Sequence, residues 1–203
     1  KNAKRTALVN RVTKETDIQI SLALDGEGAS LVRTGIPFLD HMLESFSRHG
    51  LFDLKIKAQG DLEIDIHHTN EDVGICLGQA FAKAWGTKAG INRFGFYYVV
   101  MDEALVRVVL DLSGRSSLHF TGPSIPEGAK LNRKTKEYSF NYFKQFLYAF
   151  CIHAGVNMNV GIESGDDMHH VIEAAFKAFG RALAMAVSKH ARIRGVPSTK
   201  GML

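Results

Sequence analysis

The pentapeptide HHxxE occurs twice in this chain, as His67-His68-Thr69-Asn70-Glu71 and as His169-His170-Val171-Ile172-Glu173, 102 residues apart. Upstream, Leu43, Phe46 and His49 fall on Leu147, Phe150 and His153 at a spacing of 104. Similar apolar runs follow each pentapeptide, AFAKAW in one case and AFKAFGRAL in the other. A single HHxxE can arise by chance; two in matching contexts point to a duplicated unit. The chain is therefore constrained to two copies of one local architecture, divided near residue 90 into halves 1–90 and 91–203 that together make one structural domain.

Patterning within each half agrees. Residues 17–24 (DIQISLAL) and 29–35 (ASLVRTG) alternate as half-buried strands. In 38–50, Leu39, Met42, Leu43 and Phe46 recur at helical spacing and Gly50 ends the helix. Residues 51–58 alternate as a strand, and a second helix is predicted from about His67 to Trp85. The second half repeats the order: strands at 96–102 and 104–112, a Gly/Pro/Lys-rich loop at 121–137, a helix over roughly 138–153, a strand at 156–162 and a helix from His169 to about Ala191. The expected fold is α+β: a duplicated strand-strand-strand-helix-strand-helix unit, giving two small sheets, each backed by two helices and related by a pseudo-twofold axis.

Composition narrows the functional classes. With 45% hydrophobic and 23% charged residues in 203, the chain can bury a substantial core. A net charge of +4 suits anionic small molecules and is too weak to argue for nucleic acid. Cys76 and Cys151 lie in apolar helical patterns, which argues against a disulfide framework and fits a reducing compartment. No apolar run approaches the length of a membrane span, and no signal-peptide core opens the sequence, so a cytoplasmic location is expected (organellar if a transit segment has been removed). Walker, GxGxxG and CxxC motifs are absent.

Residues four apart lie on one helix face, so His67 with Glu71 and His169 with Glu173 each form a ready pair of metal ligands. His68 and His170 project about 100° away and would serve a different ion. An ion could thus take an i,i+4 pair from one half and a histidine from the other, with His41 a further candidate. A mixed His/Glu shell favours Mn²⁺, Fe²⁺ or Zn²⁺ over Ca²⁺. The plainer alternative is a solvated His pair at a helix start. Retention of the glutamate in both copies weighs against it.

The stretches FLDHMLESFSRHGLFDL, DIHHTNEDVGI, GINRFG, MDEALVRVVLDLSGR, HHVIEAAFKAFGRAL and VPSTKG occur in order and together resemble the imidazoleglycerol-phosphate dehydratase family of histidine biosynthesis, from about Arg11 to Gly201. The resemblance implies two Mn²⁺ per chain. One ion would take His41, His68, His169 and Glu173; the other would take His67, Glu71, His170 and position 145. The family pattern expects His or Glu at 145, where this chain has Gln145, a weaker ligand. It further implies that Glu15 moves a proton at the substrate's reacting carbons, with Glu71 or Glu173 assisting. Arg93, Arg115, Lys177, Ser198 and Lys200 would hold the phosphate, and His41, His49, His67, His68, His169 and Thr199 would contact the rest of the substrate. The implied reaction proceeds through an imidazolate that two ions stabilise. The implied assembly is a homo-oligomer of 24 subunits with metal sites at subunit contacts, with neither nucleic acid nor membrane as partner. A metal-dependent hydrolase and a non-catalytic metal-binding homologue are the alternative readings. His119, His153 and His190 read as surface or structural histidines, and Lys130, Arg133, Lys134 and Lys136 as a solvated loop.

Overall fold

The computed structural model describes residues 5–122 and 138–203; the basic loop residues Lys130 to Lys136 lie outside these. In chain order the first half comprises β1 (Thr6–Val12), β2 (Thr16–Ala23), β3 (Ser30–Arg33), α1 (Pro37–Gly50), β4 (Asp53–Gly60) and α2 (Ile66–Trp85). The second half comprises β5 (Phe94–Met101), β6 (Ala104–Asp111), β7 (Ser117–Thr121), α3 (Phe140–Ala154), β8 (Asn157–Ser164) and α4 (Met168–Val187). The expected duplicated unit is present.

Each half forms its own four-stranded sheet with one topology, β1-β2-β4-β3 and β5-β6-β8-β7. The first three strands of each order pair antiparallel, and the fourth runs parallel to its neighbour. Alternation does not locate β1 or β7. In β1, Leu8 and Val12 are apolar yet exposed on the outer face, so the pattern blurs. In β7 no residue is fully buried. α4 stops at Val187, short of the expected Ala191, because Ser188 is extended and Lys189 bridges to Ile91.

Helices cover the inner face of each sheet: α2 lies on β1 and β2, α1 on β3, α4 on β5 and β6, and α3 on β7. They then pair across the halves, α2 with α3 and α1 with α4. Glycine permits this approach. A Cβ on Gly74 would stand 2.7 Å from the Phe146 carbonyl oxygen, and one on Gly180 would stand 2.5 Å from that of Phe46. Eight phenylalanines, among them Phe46, Phe81, Phe150 and Phe179, fill the space between the helices and are essentially without solvent contact. This shared core joins the two halves.

Candidate metal centre

Both HHxxE stretches begin helices that are capped alike. The Asp65 carboxylate accepts the His67 backbone N–H at 3.0 Å, and Asp167 accepts that of His169 at 2.8 Å. The caps place each His pair in the first turn, at the end of the helix pair rather than in the Phe core.

Because α4 packs on α1, the second half's i,i+4 pair meets the first half's helix. Nε2 of His169 lies 3.1 Å and Nε2 of His41 lies 3.4 Å from Glu173 Oε2. One ligand atom from each residue lies within 4.8 Å of the other two. Two ligand atoms each about 2.1 Å from one ion stand roughly 3.0–3.5 Å apart, so the donor set fits one face of a coordination shell. Lys177 Nζ approaches the other oxygen, Glu173 Oε1, at 2.9 Å. Burial pushes the Glu173 carboxyl up, but the Lys177 ammonium and then His41 and His169 outweigh it and hold the acid below its usual range. His49 lies about two turns along α1 from His41, and burial, then the Lys177 and Arg181 charges, push its pKa down.

The α2–α3 pair builds the mirror set with a difference. Nε2 of His67 lies 3.2 Å from Glu71 Oε2, whereas its Nδ1 lies 2.8 Å from Gln145 Oε1. The amide at the position opposite His41 thus engages an imidazole nitrogen instead of converging with the ligand atoms.

Neither adjacent histidine joins these sets within one chain. His68 Nδ1 is 3.0 Å from Asp61 Oδ2 and 4.0 Å from Glu15 Oε2. His170 Nδ1 is 2.8 Å from Glu103 Oε2, and its Nε2 is 3.6 Å from Asp102. These hydrogen bonds raise the pKa of both imidazoles, through Asp61 for His68 and Glu103 for His170. Glu15 is exposed in the β1–β2 turn, where the Thr13 hydroxyl accepts its backbone N–H. Asp61, Glu103 and Asp102 carry no sequence signal of their own, since they reach the histidines only through tertiary packing.

The five residues implied for the phosphate do not gather in one place within one chain. Arg93 makes a two-pronged ion pair with Asp111 (2.7 and 3.0 Å) and donates to the Pro197 carbonyl at 3.0 Å. Ser198 accepts the Lys200 N–H at 3.2 Å in an exposed turn that includes Thr199, and Gly114, next to Arg115, lies against Leu203. The Arg115 guanidinium has no partner among the described residues. Lys177 lies at the far end of β5, 3.8 Å from the Met101 sulfur. With Arg93 preceding Phe94 and about 3.3 Å of rise per residue, these ends are roughly 23 Å apart. One phosphate group cannot touch both within one chain.

His153 Nδ1 donates to the Ala149 carbonyl oxygen at 2.9 Å, and His190 Nδ1 accepts the Arg192 N–H at 3.2 Å; both contacts are local. Among the described residues, no helix is long and apolar enough to cross a membrane.

Known proteins share this architecture and sequence. The family model described as imidazoleglycerol-phosphate dehydratase matches residues 34–183. The protein of that name from Geobacillus kaustophilus is 49% identical over 98% of this chain and 99% of its own length. The Thiobacillus denitrificans protein is 52% identical over 98% of this chain and 100% of its own. The crystal structure of the Staphylococcus aureus dehydratase superposes with a TM-score of 0.78 at 34% identity, covering 91% of this chain and 99% of that one. The Pyrococcus furiosus structure, in complex with (S)-C348, gives 0.79 at 32% identity, covering 96% and 100%. With its duplicated sheets, its paired HHxxE helices and relatives that match from end to end, the chain belongs to the imidazoleglycerol-phosphate dehydratase family.

Proposed function

We propose that this protein is a hydro-lyase of histidine biosynthesis that dehydrates imidazoleglycerol phosphate to imidazole acetol phosphate, using two Mn²⁺ per chain. The observation that carries the metal reading is the convergence of His41, His169 and Glu173 from opposite halves. The relatives' names supply the substrate. In the reaction the hydroxyl on the carbon next to the ring leaves as water, the neighbouring carbinol carbon loses its proton, and the enol so formed becomes the ketone. Bound ions would supply Lewis acidity to the two ring nitrogens, favouring the imidazolate from which that hydroxyl departs.

The chain's own residues do the rest. Glu15, exposed and close to His68, accepts the proton from the carbinol carbon. His41, His169 and Glu173 form one ligand set; His67 and Glu71 form the other, with Gln145 beside them. His49 and Lys177 border the first set. Arg93, Arg115, Lys177, Ser198 and Lys200 hold the phosphate, Lys177 reaching it from a neighbouring subunit.

Two features support completion of the site by other subunits in a 24-subunit assembly. His68 and His170 stand apart from both sets, and the phosphate candidates divide between the ends of β5. Phe94, Phe96, Tyr98 and Val100 also leave one face of β5 apolar and more than half exposed, as expected of a surface that another subunit covers. An ion bound only by the assembled form would stabilise it by mass action.

The deciding experiment follows ketone formation from imidazoleglycerol phosphate with and without added Mn²⁺, alongside phosphate release. Ketone formed only with metal, without phosphate release, is the expected result. Phosphate release instead favours a hydrolase, and full activity in excess chelator overturns the metal reading. A metal-loaded monomer by light scattering overturns the assembly.

A further inference from the structure

The turn between β5 and β6 carries a carboxylate that neither ligand set uses. Met101 pairs with Ala104, so Asp102 and Glu103 alone make the connection. Asp102 takes a left-handed φ of 48°, which aspartate tolerates better than most residues. Glu103 is thereby held at the start of α4. Its Oε1 accepts the backbone N–H groups of Asp166 (3.3 Å) and Asp167 (2.9 Å), while its Oε2 faces His170 Nδ1 at 2.8 Å. The Ser164 hydroxyl donates to its carbonyl oxygen at 2.9 Å. The Asp167 N–H and His170 hold the Glu103 carboxyl down at about 2.

The first half reaches the same contact from a different place. Glu103 follows Glu15 by 88 residues, as Ala104 at the start of β6 follows Thr16 at the start of β2. Glu15, the counterpart, stays 4.0 Å from His68 Nδ1, and Asp61 at the end of β4 takes the bond at 3.0 Å. Two non-equivalent positions therefore supply one interaction to the second histidine of each HHxxE.

An ionised carboxylate only accepts hydrogen bonds, so the imidazole facing it carries hydrogen on Nδ1 and a lone pair on Nε2. We propose that Glu103 and Asp61 are positioning residues that fix His170 and His68 as Nδ1–H tautomers, so that each offers Nε2 as a metal ligand. This inference depends on the metal reading given above. A carboxylate behind a ligating histidine also fixes ring orientation and raises ligand basicity, and losing it typically weakens metal binding about 10–100-fold.

The alternative is that Glu103 merely caps α4, and Glu103→Gln separates the two. The amide oxygen still accepts the backbone N–H groups, but its NH₂ now faces His170. That ring must then accept at Nδ1 and carry its hydrogen on Nε2, where no ion can bind. Mn²⁺ is titrated into the metal-stripped parent, Glu103→Gln and Asp61→Asn, with free Mn²⁺ read by its paramagnetic resonance signal and the metal-free proteins melted in parallel. We expect each variant to lose affinity for one ion per chain by about 10-fold or more, with metal-free melting within about 3 °C of the parent. Glu103→Asp, which restores the charge, should recover part of the loss. Two ions bound with parental affinity in both variants overturn the proposal, as does a loss of affinity matched by a comparable loss of metal-free stability. A parent protein that binds no Mn²⁺ fails the metal reading itself.

Discussion

The two helix pairs began as copies, yet they hold their polar residues differently. In the α1–α4 pair, Glu173 has a side chain only 8% exposed and is approached by His41, His169 and Lys177. In the α2–α3 pair, Glu71 is 45% exposed and among the described residues approaches only His67, whose other nitrogen is taken by Gln145. A buried carboxylate surrounded by imidazoles and an ammonium is fixed before any ion arrives. An exposed one must be ordered by the ion. On the proposed metal reading, this difference would leave one site pre-organised and the other dependent on its ion.

The comparison is broken or sharpened most strongly at the two glutamates. Glu173→Gln should abolish ketone formation and remove close to one ion per chain by elemental analysis, because it also leaves Lys177 without its counter-charge. Glu71→Gln should retain measurable activity at high Mn²⁺. Equal losses in both would mean that the sites are equivalent despite their burial.

The hairpin glutamates offer a second contrast, since Glu15 is exposed while its counterpart Glu103 is tied down. Glu15→Gln should lower turnover by roughly 10²–10⁴-fold with metal content and assembly unchanged, and near-parental rates would remove Glu15 from proton transfer. Packing gives the next effect. Gly180→Ala forces a Cβ against the Phe46 carbonyl oxygen and should cost about 1–3 kcal/mol in denaturant unfolding of the metal-free protein. Gly86→Ala, where a Cβ meets nothing within 4 Å, should affect packing far less, although its φ of 57° adds backbone strain.

The smallest effect is expected at position 145. Gln145→Glu or Gln145→His should tighten the weaker site by about tenfold or less, around 1.4 kcal/mol, and lower the Mn²⁺ needed for activity. Metal titration of the three proteins decides this. Two equally tight sites, unchanged in both variants, would show that residue 145 acts only through His67.

How much of this was legible in the sequence follows from the range of the interactions. Helix periodicity alone puts His67 with Glu71 and His169 with Glu173, and the repeated pentapeptides expose the duplication and hence the paired sheets. The helix starts were readable as well, because Asp65 and Asp167 are local caps. Which helix faces which was not readable: the approach of α4 to α1 depends on Gly180 fitting against Phe46, a contact between residues far apart in the chain. For the same reason Asp61 and Glu103 escaped notice, as did the engagement of Gln145 with His67. The separation of Lys177 from Arg93 came into view only with the strand that lies between them.

The exchange of helix partners between halves has a historical consequence. A half released at the connection between α2 and β5 would keep its HHxxE and its first helix, but on surfaces that do not meet each other. Only a second copy can bring them together. A single-unit ancestor with this architecture would therefore have had to meet its twin before it could gather any such cluster. Fusion replaced that encounter with a permanent one, and afterwards each copy could drift alone, as His41 and Gln145 now record.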